Sequence, residues 1–436
     1  MKLFKGKNYR YGIHAPDRKC ATCDLPIERL PLQEKVCICL SQHIGAPAEC
    51  IVSKGDKVVK GQLIGRANGP VSANVYSSVC GVVEEIKDLI NRLGQIQKHV
   101  IIKVDAEDES ELLLPPLEDF SATSIIERVR EAGIVGLGGA GFPTAIKLTP
   151  KNQLDYLIIN GAECEPYLTC DYRLMLERSE EIYQGILLTA KALGVEKIIM
   201  GIEANKPKAI EIFSKFEKLD VCILKKQYPM GSEKHLIYVT TGKKVPTGKM
   251  PFDVGCAVQN IKTMIAIYQA VKCNKPLTQI VMTVSGNGIT RPANLLVPTG
   301  TIFSDIANYL GGVSDETVKV VVGGPMMGKT IMGLNHFVRK TDSGLLFLTS
   351  KEASIIEPTN CINCAVCAKN CPMRLMPMYI ESYSLSGDFK NAERYGAMNC
   401  IECGSCAYNC PAKRPLVQSI VHAKNKIREM KQNAKR

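Results

Sequence analysis

The chain holds no tryptophan, six histidines and only 6% aromatic residues among its 436. That scarcity bears on the net charge of +12. Nucleic-acid surfaces interleave basic side chains with stacking aromatics or carry a recognition motif, and neither is present here. Nucleic acid is therefore not an expected partner. Equally lacking is any apolar run near the roughly 18 residues that a spanning helix needs. The opening MKLFKGKNYRYGIHAP has no apolar leader core, and no lipidation motif is evident. These absences lead us to expect a peripheral protein with no transmembrane helix. In a reducing compartment its cysteines would serve as metal ligands rather than disulfides.

Cysteine is what the chain has in quantity, 19 residues in all. Length allows about three domains, and an apolar content of 45% suffices for several cores. The densest signal lies at residues 361–411, where C-x2-C-x2-C-x3-C-P occurs twice: Cys361, Cys364, Cys367, Cys371 and Pro372, then Cys400, Cys403, Cys406, Cys410 and Pro411. In a two-cluster ferredoxin-type run, three cysteines of one loop hold one [4Fe-4S] core and the fourth reaches the other. One set is then Cys361, Cys364, Cys367 and Cys410, and the second is Cys371, Cys400, Cys403 and Cys406. Zinc sites use two close pairs and lack the Cys-Pro ending, so two iron-sulfur clusters are the reading the spacing supports.

Elsewhere the pattern is mixed α and β. Residues 1–42 are irregular and carry Cys20, Cys23, Cys37 and Cys39, with Cys50 close by. A zinc ion or further iron-sulfur centre held by the first four is one reading, and free buried thiols are the other. Residues 43–110 alternate short strands with glycine turns in the manner of the barrel-sandwich hybrid of lipoyl and biotinyl carriers. The turn where those carriers present a lysine reads GPVSAN, so no swinging arm is attached and the module is expected to be structural. Residues 111–274 alternate helical patterns with apolar strands such as LDYLIING and KIIMGIE, the signature of a parallel α/β domain. Residues 275–350 resemble the β-grasp domain called SLBB. Residues 351–420 form the helical two-cluster domain, and 421–436 a basic helical tail. That tail reads either as a solvated helix end or as a docking element for an acidic partner or anionic membrane face.

A second motif is GLGGAGFPTAIK at residues 136–147, followed by a strand running into NGAECEPYLTCD. Glycines strip side chains from a loop, so backbone N–H groups can approach a phosphate or a flat ring. The strand places Asn160, Glu163 and Glu165 where α/β sheets present ligands.

GLGGAGFPT with NGAECEP resembles the flavin site of the NADH-oxidising flavoprotein subunit of respiratory complex I, and KQYPMGSEK and VQNIKT fit that family too. The order of modules, Y-G-I-H-x-P near the start and the string LSQHIGAP at residues 40–47 are similar to the C subunit of the Rnf family of ion-translocating electron-transport complexes. The resemblance covers nearly the whole chain. It implies non-covalent FMN lined by Gly138, Gly139, Ala140 and Gly141, with Lys147 at its phosphate or ring edge. Asn160, Glu163, Tyr228, Gln259 and Asn260 would hold the rest of the flavin. Phe142 would stack on the NADH adenine, and Glu165 and Glu233 would meet its nicotinamide half or ribose. Leu137, Ala162 and Gln259 depart from the complex I pattern.

Implied with it is a peripheral subunit at the cytoplasmic face of the cell membrane. It would exchange hydride between NAD(H) and FMN and pass single electrons on, in an NADH:ferredoxin oxidoreductase that moves Na+ or H+. Partners would be the ferredoxin-like B subunit and the membrane-embedded D and G subunits of the Rnf complex. No histidine or serine nucleophile is expected, because hydride transfer needs positioning and not a general base. Two alternatives share the architecture: a cobalamin reductase of bacterial microcompartments, and an electron-transfer scaffold without nucleotide binding.

Overall fold

The computed structural model describes residues 2–92, 94–139, 141–353 and 356–434. Its first three strands, β1 (Leu3–Lys5), β2 (Ile27–Arg29) and β3 (Lys35–Cys39), join three different sheets. The expected separate segment 1–42 is thus not a unit. Its strands find partners in each of the next three modules, and β3 already belongs to the barrel-sandwich module.

That module comprises β3 with β4 (Glu49–Cys50), β5 (Lys57–Val58), β6 (Leu63–Arg66), β7 (Val75–Tyr76), β8 (Gly81–Ile90) and β9 (Ile96–Val104). The strands form one sheet ordered β3-β9-β8-β5 and a second ordered β4-β6-β7. Alternating valines and isoleucines, among them Val36, Ile38, Ile64, Val83, Val100 and Ile102, face inward between them.

The α/β domain carries β10 (Tyr156–Gly161), β11 (Lys197–Glu203), β12 (Asp220–Leu224) and β13 (Cys256–Asn260), with helices α1 (Ala122–Glu131), α2 (Thr144–Lys147), α3 (Cys170–Glu177), α4 (Ser179–Leu193), α5 (Pro207–Phe213), α6 (Glu233–Thr241) and α7 (Ile261–Lys272). The sheet order is β1-β12-β11-β10-β13, all parallel. Helices cover both faces, so the strands are buried nearly end to end and read as continuous apolar runs. Gly194 closes α4 in the left-handed conformation (φ 63°), its N–H donating back into the last turn.

Next come β14 (Gln279–Ser285), β15 (Ala293–Pro298), α8 (Phe303–Tyr309), β16 (Thr317–Val322), β17 (Lys329–Ile331) and β18 (Gly344–Thr349), in a sheet ordered β17-β16-β18-β14-β15-β2. The cluster domain follows with α9 (Val366–Lys369), α10 (Pro377–Leu385), α11 (Phe389–Arg394), α12 (Ser405–Tyr408) and α13 (Leu416–Asn433). The basic tail is not a separate element. It completes α13, whose Ile420, Ala423 and Ile427 pack into the domain core, and its Lys424, Lys426 and Lys431 pair with Glu402, Glu429 and Glu393. The fold is multi-domain α+β as the sequence pattern implies.

Candidate functional site

The two cysteine motifs fold into the same loop twice. Asn363, Ala365 and Arg374 take left-handed backbone (φ 56°, 58° and 58°), and Glu402, Gly404 and Lys413 repeat it at equivalent positions (φ 59°, 80° and 51°). Such residues turn the chain tightly enough to aim successive cysteines at one point. Each loop then enters a one-turn helix, α9 or α12, that carries its third cysteine. The fourth cysteine crosses over: Cys361, Cys364, Cys367 and Cys410 line one cavity, and Cys371, Cys400, Cys403 and Cys406 line another.

The cavities enclose about 350 and 330 Å³, including the part open to solvent. Among the described residues no three of these sulfurs lie mutually within 4.8 Å. A zinc ion with bonds of about 2.3 Å would draw its sulfurs to within about 4 Å of each other. The donor set and its spacing fit a four-iron core and not a single ion.

The two sets differ in surroundings. Cys361 and Cys364 are exposed, beside an exposed Ile362. The other set is locked against the rest of the chain. Tyr228 donates to the carbonyl of Cys403 (2.7 Å), Tyr9 donates to that of Pro372, and His235 Nε2 lies 3.1 Å from the same oxygen. Backbone N–H groups of Leu375 and Glu402 point at the sulfurs of Cys371 and Cys400, both at 3.3 Å. Lys424 Nζ donates to Cys400 O (2.9 Å). Hydrogen bonds to sulfur are among the levers that set a cluster's potential.

The glycine motif forms a hairpin. Gly136 N–H donates to Phe142 O (2.9 Å), Gly141 N–H donates to Gly136 O (3.2 Å), and Val135 bridges Pro143. Gly138 and Gly139 are exposed at the apex, while Ala140 lies outside the described residues. One flank rests on the start of α7, where Leu137 N–H donates to Thr263 Oγ1 (3.1 Å) and a methyl on Gly138 would stand 3.0 Å from Asn260 Cβ. Around Gly139 (φ 130°) a methyl would meet nothing within 4 Å. On the segments that border this hairpin, Gln259 Nε2 and Thr144 Oγ1 are buried without a partner. A backbone surface stripped of side chains and flanked by orphaned polar atoms fits a flat, polar ligand such as FMN. Lys147 and Glu233 meet 3.4 Å apart nearby, on α2 and α6, and Phe142 is half-buried beside the apex.

Asn260 caps α7 through Lys262 N–H (2.8 Å) and donates to Asp171 (2.8 Å). Asn160 is engaged too, donating to Gly231 O (2.8 Å).

Three residues expected to touch flavin or NADH are turned elsewhere. Glu163 adopts left-handed backbone (φ 46°), and its carboxylate accepts the N–H groups of Asp171 (2.7 Å) and Tyr172 (3.3 Å), capping α3. Burial pushes this carboxyl up to about 6, against the pull of Lys19 3.6 Å away. Glu165 accepts the N–H groups of Met326 and Met327, both at 3.0 Å, from the loop after β16. Tyr228 directs its hydroxyl at Cys403 and Glu165 and not at the hairpin. These side chains hold modules together, because each strand-end acid meets an unpaired amide that burial would otherwise leave unsatisfied.

Several lysines that no motif flagged organise the same loop. Lys19 Nζ donates to the carbonyls of Glu163 (2.9 Å), Glu165 (3.0 Å) and Leu168. Lys206 Nζ donates to Ala162 O (2.7 Å). Lys262, buried and 3.3 Å from Asp171, is pulled down by burial, but the neighbouring Asp171, Cys170 and Glu163 outweigh this and hold it protonated. Glu163, Cys170 and Asp171 cluster closely enough for a metal, yet the Lys262 ammonium already supplies the positive charge there.

The N-terminal cysteines are not brought together. Cys20 and Cys23 sit in a turn where Arg173 reaches Cys23 O (3.3 Å), whereas Cys37 and Cys39 lie in β3, paired with Ile101 and His99 of β9. Cys50 stands in β4 of the neighbouring sheet. Among the described residues no three of these sulfurs lie mutually within 4.8 Å, so they do not form a tetrahedral zinc set, and their placement on a turn and on a separate strand favours the reading as free thiols. Cys39 instead packs against Gln97 and Arg339.

With this geometry in place, the chain was compared with known proteins. Residues 129–269 match the Nuo51 FMN-binding domain, 7–107 the RnfC barrel sandwich hybrid domain, 281–330 the SLBB domain and 353–411 the 4Fe-4S dicluster domain. The chain is 46% identical over 432 residues to the C subunit of the proton-translocating ferredoxin:NAD(+) oxidoreductase complex of Clostridium ljungdahlii, covering 97% of this chain and 94% of that one. It is 44% identical to the C subunit of the ion-translocating oxidoreductase complex of Rhodobacter capsulatus, over 96% of this chain and 83% of that one. Identity to the C subunit of the Na(+)-translocating ferredoxin:NAD(+) oxidoreductase complex of Acetobacterium woodii is 42%, over 97% and 98%. A chain of an NAD+-reducing [NiFe]-hydrogenase in the H2-reduced state aligns with 70% of this chain and 65% of its own, at TM-score 0.47 and 17% identity.

Proposed function

The chain belongs to the RnfC family of ion-translocating oxidoreductase subunits, and we propose that it exchanges hydride between NAD(H) and FMN at the glycine hairpin, ahead of two [4Fe-4S] clusters. Its general role, electron transfer within a multi-subunit oxidoreductase complex, follows from the family and from its FMN and iron-sulfur domains. Bound there, FMN would supply the exchange between the electron pair of one hydride and single electrons, and each iron-sulfur cluster would carry one electron.

The residues of this chain bind, orient and hold distance. The apex at Gly138 and Gly139 admits a flat ring to the backbone, and Gln259 and Thr144 offer it free polar atoms. Phe142 is assigned to the adenine of NADH. Glu233 is assigned to the nicotinamide half, since Glu165 is already held by two amides, and its partner Lys147 to the phosphate or ring edge of FMN. Tyr228 and Glu165 fix the cluster domain against the flavin domain, so positioning replaces acid-base catalysis.

One observation carries this reading: eight cysteines line two adjacent cavities, and the inner set is tied through Tyr228 to the strand-end loop after β10. The exposed set at Cys361 and Cys364 is the side assigned to partner proteins, the ferredoxin-like B subunit and the membrane-embedded D and G subunits, at the cytoplasmic face. Among the described residues no helix is long and apolar enough to cross a membrane, so movement of Na+ or H+ is assigned to those partners. Mixing the reconstituted protein with NADH in a stopped-flow instrument should bleach the flavin and then the iron-sulfur absorbance. Flavin that stays oxidised would instead favour the scaffold reading.

A further inference from the structure

The barrel-sandwich module has lost the carrier lysine, and the turn that would present it is docked. Asn74 Nδ2 donates to Glu131 O (2.9 Å), and Tyr76 donates to the same oxygen. The fully buried Lys340 donates to Asn74 O (2.6 Å) and Gly133 O (2.7 Å), fastening this turn beneath the strand that enters the glycine hairpin. A second loop of the module, residues 41–47, then lies along the hairpin itself. Ile44 N–H donates to Gly141 O (3.1 Å), and a methyl on Gly141 would stand 2.8 Å from Thr341 Cγ2, 3.5 Å from His43 Cα and 3.6 Å from Gln42 O.

On this loop two buried side-chain nitrogens lack partners, Gln42 Nε2 and His43 Nδ1. Gln42 is 3% exposed, and its other amide atom accepts Lys340 N–H (2.9 Å), which fixes the orientation of the group. His43 Nε2 is engaged, 3.1 Å from Ala73 N and 3.2 Å from Ser72 Oγ, so the free ring nitrogen is Nδ1. Nε2 also lies 2.9 Å from Ala46 O, an oxygen that takes its hydrogen bond from Ser72 Oγ (2.9 Å). Gln42 Nε2 is therefore a free donor, and His43 Nδ1 a free ring nitrogen. Of the seven buried side-chain polar atoms without partners among the described residues, four belong to Gln42, His43, Thr144 and Gln259, all on segments that border the hairpin. Buried polar atoms left unpaired cost about 1–3 kcal/mol each, so this concentration in one place points to a polar ligand that completes it.

We propose that Gln42 and His43, from the module that resembles a carrier, are binding residues of the flavin site, Gln42 donating to an acceptor atom of the nucleotide and His43 hydrogen-bonding it through Nδ1. The site is then composite, with the α/β domain supplying the bare backbone and the barrel-sandwich loop supplying two free side-chain nitrogens on its other flank. This assignment rests on the FMN reading given above.

The test exploits the two histidine nitrogens. In His43→Asn the side-chain amide mimics Nδ1, and in His43→Gln it mimics Nε2. A purely structural histidine, needed for Ala73 and Ser72, would tolerate His43→Gln and not His43→Asn. A ligand-binding one gives the opposite order. FMN and riboflavin are titrated separately into apoprotein of the full chain by flavin fluorescence, with Gln42→Met as a second variant and melting temperature as the folding control. Expected are Kd values for FMN about tenfold weaker for His43→Gln and Gln42→Met, the scale of one lost hydrogen bond, at unchanged melting temperature in His43→Gln and at a lowered one in Gln42→Met, which also strips Lys340 N–H of its acceptor. Weakening for FMN alone places the acceptors on the phosphate, and weakening for both places them on the ring or ribityl chain. Kd values within twofold of the unaltered chain in both variants would overturn the assignment while leaving the flavin site intact. Failure of the unaltered chain to bind either flavin would overturn the flavin reading itself, and this one with it.

Discussion

The hydroxyl of Tyr228 stands 2.7 Å from the carbonyl oxygen of Cys403 and 3.3 Å from Glu165 Oε1. One phenol thus ties a cluster loop to the α/β domain, in a pocket shared with Ile13 and Cys403. Tyr228→Phe keeps the ring and removes the donor, leaving a buried carbonyl unpaired. The expected loss is about 1–3 kcal/mol, read as a lower denaturant midpoint with iron content unchanged. A midpoint equal to that of the unaltered chain would mean that the contact does not hold the domains.

The two cysteine sets should be separable. Cys364→Ala and Cys371→Ala are each expected to lower iron from about eight to about four atoms per chain. Under NADH, electron paramagnetic resonance should still show a reduced cluster in Cys364→Ala, which keeps the inner set, and none in Cys371→Ala. Equal behaviour of the two would contradict the assigned order.

Gly139 combines a φ of 130° with open space where a side chain would project. Gly139→Ala both strains the apex and puts a methyl on the face proposed for the ligand. FMN affinity is expected to fall by about tenfold or more, equivalent to about 1.4 kcal/mol. Titration of the apoprotein checks this, and undiminished affinity would place the ligand elsewhere.

Lys340 makes pH dependence a readout of packing. Burial with no carboxylate partner pulls its ammonium down from 10.5 to about 7. Between these values the unfolded chain holds a proton that the folded chain has released, so stability rises with pH by about 1.4 kcal/mol per unit. Below about 7 both states hold the proton and this dependence levels off. Unfolding of the unaltered chain and of Lys340→Met, compared from pH 7.5 to 9.5, should show the steeper rise in the former. Parallel curves would mean that the amine stays charged when folded.

Much of this arrangement is written locally. The cysteine spacings specify their own loops, because the left-handed residues that aim the thiols sit between the ligands. The parallel sheet is legible because strands covered on both faces read as apolar runs. The acids after β10 are different. Glu163 and Glu165 stand in a motif associated with flavin, but positive φ at Glu163 and Tyr167 swings their carboxylates toward amides of α3 and of Met326 and Met327. Those last two partners lie about 160 residues further along, where no local pattern reaches. Lys19, Lys206 and Lys340 were equally illegible, since a lysine in sequence reads as a surface residue and only the assembled modules reveal the carbonyls that bury it. The N-terminal cysteines show the converse: a spacing suited to metal, separated because β3 joins one sheet and the preceding turn packs beside another.

The scattering of the first three strands has a consequence for biosynthesis. Leu3 pairs with Val221, Ile27 with Asn294 and Val36 with Ile102, so β1 and β2 wait for partners translated long after them. Until then the growing polypeptide carries these strands unpaired. Three sheets thus take their outermost strand from residues 3–39, so excising one module for separate study would strip it of a border strand or leave that strand without its neighbour.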